Sequence, residues 1–260
     1  MNKLTFCVWA AAAALCILVT VPVRAADAKV YELRIYTAAP GKLDGLLARF
    51  RDHTCKLFEK HGMENIGYWV PLDADKGADN TLIYIVAHQS RDVAKVSWGA
   101  FVKDPAWQAA AKKSEENGKL VAKIESIYIT PTDFSPAVKL GAGSGPRVFE
   151  LRDYTTPEEK VAALDARFRD HTMKLFAKQG MENLPYFHPA DQAKGAGSRL
   201  IYLLAHKSKE AGLASFDAFR KDAAWIAARE ASEKKAGGSL TVKDGVKSTY
   251  MRAVDFSPIR

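Results

Sequence analysis

The chain states one structural unit twice. Residues 49–54 read Arg-Phe-Arg-Asp-His-Thr, and residues 167–172 read the same six again, 118 positions further on. The same shift carries Gly62-Met63-Glu64-Asn65 onto Gly180-Met181-Glu182-Asn183, Leu82-Ile83-Tyr84 onto Leu200-Ile201-Tyr202, and His88 onto His206. At Asp133-Phe134-Ser135-Pro136 the counterpart is Asp255-Phe256-Ser257-Pro258, a shift of 122, so the second copy carries a small insertion. A fixed internal period of this kind makes each copy one supersecondary unit.

Within copy one, Val30 to Tyr36 alternates apolar and polar residues with a period of two, which predicts a strand. Pro40-Gly41 marks a turn, and apolar positions 43, 46, 47, 50, 54, 57 and 58 predict an amphipathic helix ending near Gly62. Further strands are expected over 65–71, 81–88 and 125–130. A helical stretch from about Ser90 turns Trp98 and Phe101 inward. Asp104-Pro105 restarts a second helical segment, with Asp as N-cap and Pro at the first helical position. In copy two, Thr156-Pro157-Glu158-Glu159 supplies the start signal of the first helix. Strand, helix, strand, strand, helix, strand is a ferredoxin-like unit. The boundaries are a first domain at 26–136, a Gly- and Ser-rich flexible linker at 137–146, and a second domain at 147–260.

The third strands decide how the units meet. Leu82-Ile83-Tyr84-Ile85-Val86-Ala87 and Leu200-Ile201-Tyr202-Leu203-Leu204-Ala205 do not alternate, so both faces of each must be covered. Two helices cover one face only. The expectation is an α+β fold in which two ferredoxin-like units pack sheet to sheet as an intrachain α+β barrel. A face left in water would forfeit about 25 cal/mol per Å².

Residues 1–25 read as a secretory signal peptide: Lys3, an apolar run from Leu4 to Val23, and small residues before Ala26. The expected location is secreted or periplasmic, with no stable membrane insertion after cleavage. Removing Lys3 and Arg24 from the 38 basic residues leaves 36 against 30 acidic ones, an interspersed +6 that argues against nucleic acid as a partner. Cys7 and Cys16 leave with the signal. Cys55 has Met173 at the matching position of the second copy, so it reads as packing and not as a nucleophile.

The chain resembles the NIPSNAP family. The resemblance rests on Tyr31-Glu32-Leu33-Arg34-Ile35-Tyr36 followed by Pro40-Gly41-Lys42, the Phe50/His53 helix, and the Gly62 turn. It rests also on Trp98/Phe101 with Asp104-Pro105-Ala106-Trp107, and on the Phe134-Ser135-Pro136 close. It implies a dimeric α+β barrel and little about chemistry. Copy two departs from it with Pro157-Glu158-Glu159-Lys160 at the turn, Asp153 in place of Ile35, and His188 in place of Val70.

On the first strand Glu32, Arg34 and Tyr36 share one face, repeated as Glu150, Arg152 and Tyr154. With Leu33 and Ile35 placed under the helices, the polar set would point into the barrel. There Arg34 and Arg152 would hold an anionic group, or the Glu and Arg would form a structural salt bridge at the barrel end. His88 and His206 end the third strands on the side of Tyr84 and Tyr202, where a histidine can shuttle protons or ligate haem. Trp69 and Phe187 are expected to line or fill the same cavity. His53 and His171 lie near the apolar stripe of helix one and read as core residues before ligands. The chain has no His-x-His, His-Glu-x-x-His or Cys pair, so no dedicated metal site is expected.

Three functions compete. The favoured one is a small-molecule binding protein or cofactor-independent enzyme, with no cofactor expected. The alternatives are a haem-associated protein and a non-enzymatic interaction module of the cell envelope. A homo-oligomer is compatible with all three.

Overall fold

The computed structural model describes residues 29–141, 143 and 147–260. The expected signal peptide lies outside them. Among the described residues no helix is long and apolar enough to cross a membrane.

Unit one runs β1 (Val30–Ala38), α1 (Leu43–Arg49), α2 (Cys55–Lys60), β2 (Glu64–Pro71), β3 (Thr81–His88), α3 (Arg91–Lys103), α4 (Pro105–Ser114) and β4 (Val121–Pro131). Unit two repeats it as β5 (Val148–Thr155), α5 (Val161–Arg167), α6 (Met173–Lys178), β6 (Glu182–Pro189), β7 (Arg199–His206), α7 (Lys209–Lys221), α8 (Ala223–Lys235) and β8 (Val246–Ala253). The Asp104 cap read from sequence is present, and Ser90 caps the helix before it. Ser90 accepts from the Val93 amide, and Asp104 accepts from Ala106 ahead of a first-turn proline. The Thr156 expectation fails: its hydroxyl donates to the Ser198 carbonyl, and α5 starts at Val161 without a side-chain cap.

All eight strands close into one antiparallel barrel in the order β1-β3-β2-β8-β5-β7-β6-β4. The units meet edge to edge, β2 against β8 and β4 against β6, so no strand is left with an unpaired edge. β3 is buried along its whole length, as its unbroken apolar run requires. The interior is an apolar core drawn from both copies: Leu33, Trp69, Ile83 and Ile85 interdigitate with Phe149, Phe187, Ile201 and Leu203. Tyr31 meets Phe187 at 5.2 Å between ring centroids and Phe149 meets Trp69 at 5.7 Å, equivalent contacts exchanged across the pseudo-twofold. The Trp69 ring folds over Gly67, where an added Cβ would lie 2.2 Å from it, so no larger residue fits there.

The repeated Asp-Phe-Ser-Pro exits clasp the opposite unit. Ser257 accepts from the Tyr68 amide and Ser135 from the Tyr186 amide, both at 2.9 Å. Phe256 packs on Tyr68 and Phe134 on Tyr186. Exchanged ion pairs reinforce the clasp: Arg91 forks onto Asp191, and Lys209 reaches Asp73. The described part of the linker is fixed rather than loose, since Val138 packs on the interior core and Gly141 pairs with Ile259.

The repeated hexapeptide has its own backbone signature. Phe50–Thr54 and Phe168–Thr172 are π-helical turns that interrupt the expected continuous helix. Thr54 and Thr172 each donate a hydroxyl hydrogen bond to the carbonyl five residues back, Arg49 and Arg167, at 3.1 Å. The wide turn adds a residue and rotates the next helical segment about the axis. His53 and His171 therefore stand exposed, not in the core as their spacing suggested.

Candidate functional site

The polar face of β1 does not point into the barrel. Leu33 and Ile35 belong to the interior core, while Tyr36 packs with Leu46, Phe50, Tyr84 and Phe101 in the layer between sheet and helices. Glu32, Arg34 and Tyr36 therefore lie beneath α3, and Glu150, Arg152 and Tyr154 beneath α7. The expectation is inverted because a closed barrel of this girth is filled by side chains and admits no water to solvate charge. The helix-facing layer has open edges, and the Arg34 side chain keeps 14% of its surface exposed there. Trp69 and Phe187 fill the interior and belong to a different layer from the polar set.

Glu32 is the centre of the unit-one cluster and is 1% exposed. Its Oε1 accepts from Arg34 Nη1 and Ser126 Oγ, both at 2.5 Å. Its Oε2 accepts from Trp98 Nε1 at 2.7 Å and faces His88 Nε2 at 3.2 Å. Burial alone would raise the carboxyl pKa; the His88 hydrogen bond, the Arg34 charge, and the Ser126 and Trp98 donors outweigh it and hold Glu32 down at about 2. The group stays ionised throughout the physiological range. Arg34 also donates to the Tyr36 hydroxyl at 3.2 Å, and its guanidinium lies 4.3 Å from the Trp98 ring centroid.

Unit two repeats this with changes. Glu150 accepts from Arg152 Nη1, from Ser248 Oγ at 2.5 Å and faces His206 Nε2 at 2.9 Å. Burial raises its pKa, and His206, Arg152 and Ser248 together lower it further than burial raises it. Phe216 stands where Trp98 does and offers no N–H. Arg152 donates through Nε to Tyr202 and through Nη2 to Tyr154, both at 3.0 Å. The predicted arginines are thus engaged with their own glutamate and tyrosines, and neither presents an open fork to an anion. The Glu–Arg pairing is a buried salt bridge, under the helices and not at the barrel end.

His88 and His206 are 1% and 3% exposed, each has Nε2 against a carboxylate, and each has a buried Nδ1 without a partner. His88 also lines a cleft of about 500 Å³ with Lys29, Gln89, Ser90 and Val93, at the N-terminus of α3. Haem does not fit these residues: Nε2 is committed to the carboxylate in both copies, so no step is derived through it. Among the described residues no group of three His, Cys, Asp or Glu is placed to hold a metal ion. Burial is the main reason that the Cys55 thiol is pushed up to about 12, which keeps it protonated.

Sequence reasoning missed Trp98 as a donor and the pairs Ser126/Tyr128 and Ser248/Tyr250. The signal was available, since Ser-x-Tyr recurs at the 122-residue shift in both final strands.

The NIPSNAP sequence model matches residues 31–136 and 149–258, nearly all of both copies. No curated protein matches the chain. Among solved structures, a NIPSNAP family protein from Agrobacterium tumefaciens is 27% identical over 42% of this chain and 97% of its own, with a TM-score of 0.36. A candidate monooxygenase from Lactobacillus acidophilus is 11% identical over 87% of this chain and 94% of its own, TM-score 0.52. An anthrone oxidase-like protein is 16% identical over 89% and 94%, TM-score 0.52. The last two share the fold.

Proposed function

The chain belongs to the NIPSNAP family, and on that premise we propose that it binds a small organic molecule in the cleft that His88 lines at the N-terminus of α3 and removes a proton from it with His88, without a bound cofactor. One observation carries this reading: a buried imidazole whose Nε2 faces an ionised carboxylate and whose Nδ1 has no partner. The carboxylate fixes the proton on Nε2 and leaves the Nδ1 lone pair as the free base. The proton passes from a ligand C–H or O–H to Nδ1, and Glu32 stabilises the imidazolium without itself taking the proton. The anion formed lies by the first turn of α3, whose amide dipoles favour negative charge. That an anthrone oxidase-like protein shares the fold supports an organic ligand as an analogy of fold. The signal-like residues 1–25 support an exported, periplasmic setting.

The test uses 4-nitrophenol, whose phenolate is coloured. Bound to the mature chain, it should ionise at a lower pH than in free solution, and His88→Gln should remove the shift while leaving the circular dichroism unchanged. Absence of binding, or an unshifted ionisation, counts against the assignment.

A further inference from the structure

We propose that unit two carries a second, separate binding pocket, built around Arg167, for a compact monoanion bearing one aromatic ring. Arg167 ends α5 with its side chain only 4% exposed. Its Nε and Nη1 are buried and have no hydrogen-bond partner. The Glu233 carboxylate stands 3.5 Å from Nη1, near enough to attract but making no hydrogen bond. A guanidinium enclosed in this way, with donors unspent, is matched by a carboxylate that accepts two parallel hydrogen bonds.

The space for that partner exists. A cavity of about 250 Å³ has Arg167, Tyr154, Phe219, Trp225, Arg229 and Glu233 among its lining residues. Two arginines against one glutamate leave it one positive charge in excess, which suits a monoanion. Five of the eleven lining residues are aromatic, and the Arg167 guanidinium lies 5.1 Å from the Trp225 ring centroid. The volume falls below the range of about 300–1,000 Å³ that holds drug-sized ligands, so a single ring is the upper limit.

Unit one shows what the site looks like with Nη1 satisfied, although the Arg49 Nε is buried and unpartnered as well. There the counterpart Arg49 donates from Nη1 to Glu115 at 3.0 Å and to Ser114 at 3.3 Å, and the Leu120 amide holds the same Glu115 oxygen at 3.3 Å. The insertion explains the difference. Five positions separate Glu115 from the buried Leu120, whereas seven separate Glu233 from the buried Leu240. The longer loop lets Glu233 stand back, and Ser232, which donates to the Arg229 carbonyl as Ser114 does to that of Ala111, receives no hydrogen bond from Arg167 Nη1. Part of the insertion thus opens an anion site that the first copy keeps shut.

The experiment is titration of the mature chain with benzoate, followed by calorimetry and by tryptophan fluorescence. We expect saturable binding, about tenfold weaker for the neutral benzyl alcohol. Arg167→Gln should weaken benzoate about tenfold or more, and Arg49→Gln should leave it unchanged. Glu233→Gln removes the competing carboxylate and should tighten binding several-fold, a test that stands even if Arg167→Gln does not fold. A wild-type chain that shows no saturable benzoate binding overturns the proposal. So does a folded Arg167→Gln variant that binds as the wild type does, or a Glu233→Gln variant that binds more weakly.

Discussion

In unit one Glu32 is surrounded by four side-chain donors, and in unit two Glu150 by three, because Phe216 replaces Trp98. The missing donor is balanced elsewhere. Arg152 spends its Nε on Tyr202, whereas the equivalent Arg34 Nε and Tyr84 hydroxyl are both buried and unpartnered. Unit two has closed its arginine network and unit one has closed its carboxylate. Packing beside the histidine differs as well. Gly212 stands where unit one has Ala94, and a Cβ there would come within 3.0 Å of the His206 ring and of Tyr250. Tyr250 is accordingly buried at 7% exposure, while Tyr128 is left half-buried with Arg91 stacked 3.7 Å from its ring centroid. Duplication preserved the Glu–Arg–His set, and neighbouring changes then gave each copy its own way of satisfying it.

The largest test of this comparison removes the carboxylates. Glu32→Ala and Glu150→Ala each strand a buried guanidinium, and each should cost about 3–5 kcal/mol in denaturant unfolding, with Glu32 the costlier. A larger loss at Glu150 would break the comparison. The depressed value of Glu32 has a sign in pH: its contribution is complete above the ordinary carboxylate range and is lost as pH falls toward about 2.

Making unit one resemble unit two comes next. Trp98→Phe removes a hydrogen bond to a charged group and should cost about 1.5–3 kcal/mol. The reciprocal Phe216→Trp should cost less if the indole reaches Glu150, and denaturant midpoints of the pair will show whether the fourth donor is transferable.

A pH effect confined to unit two is smaller. Burial lowers the His188 pKa, but hydrogen bonds to Asp165 and to the Arg199 carbonyl outweigh it, so the folded value is raised. Its contribution is therefore full below the usual histidine pKa and fades as pH rises through the raised value. The double variant His188→Val and Asp165→Leu copies the Val70 and Leu47 of unit one, and should flatten thermal stability across that window. An unchanged slope would assign the dependence elsewhere.

The smallest effect lies in the turn before α5. Glu159 has φ +61° where unit one has Gly41 at +69°. Glu159→Gly should relieve left-handed strain, offset in part by the freer unfolded chain, for a net gain of about 0.5–1 kcal/mol read from thermal melts.

The repeat, the unbroken third strands and the Asp104-Pro105 start made the barrel legible from sequence, because each reports a local rule that the tertiary structure obeys. Which face of β1 looks inward was not legible. Alternation says that Glu32 and Leu33 oppose one another but not which side is drier, and a filled barrel interior is drier than the edge of a helix layer. The π-turns escaped for a related reason: Phe50 to Thr54 fits a helical stripe until the Thr54 hydroxyl takes the Arg49 carbonyl. Arg167 carried no signal at all, since its counterpart Arg49 is identical and only loop length separates them.

The central claim is that Glu32 holds His88 as a directed base beneath α3. Long-range ¹H–¹⁵N spectra of the chain from residue 26 onward read it most directly. A neutral His88 ring protonated on Nε2, with Nδ1 bare and shifting when 4-nitrophenol is added, is the predicted result; a proton resident on Nδ1 of the neutral ring, or an Nδ1 indifferent to the phenol, contradicts it.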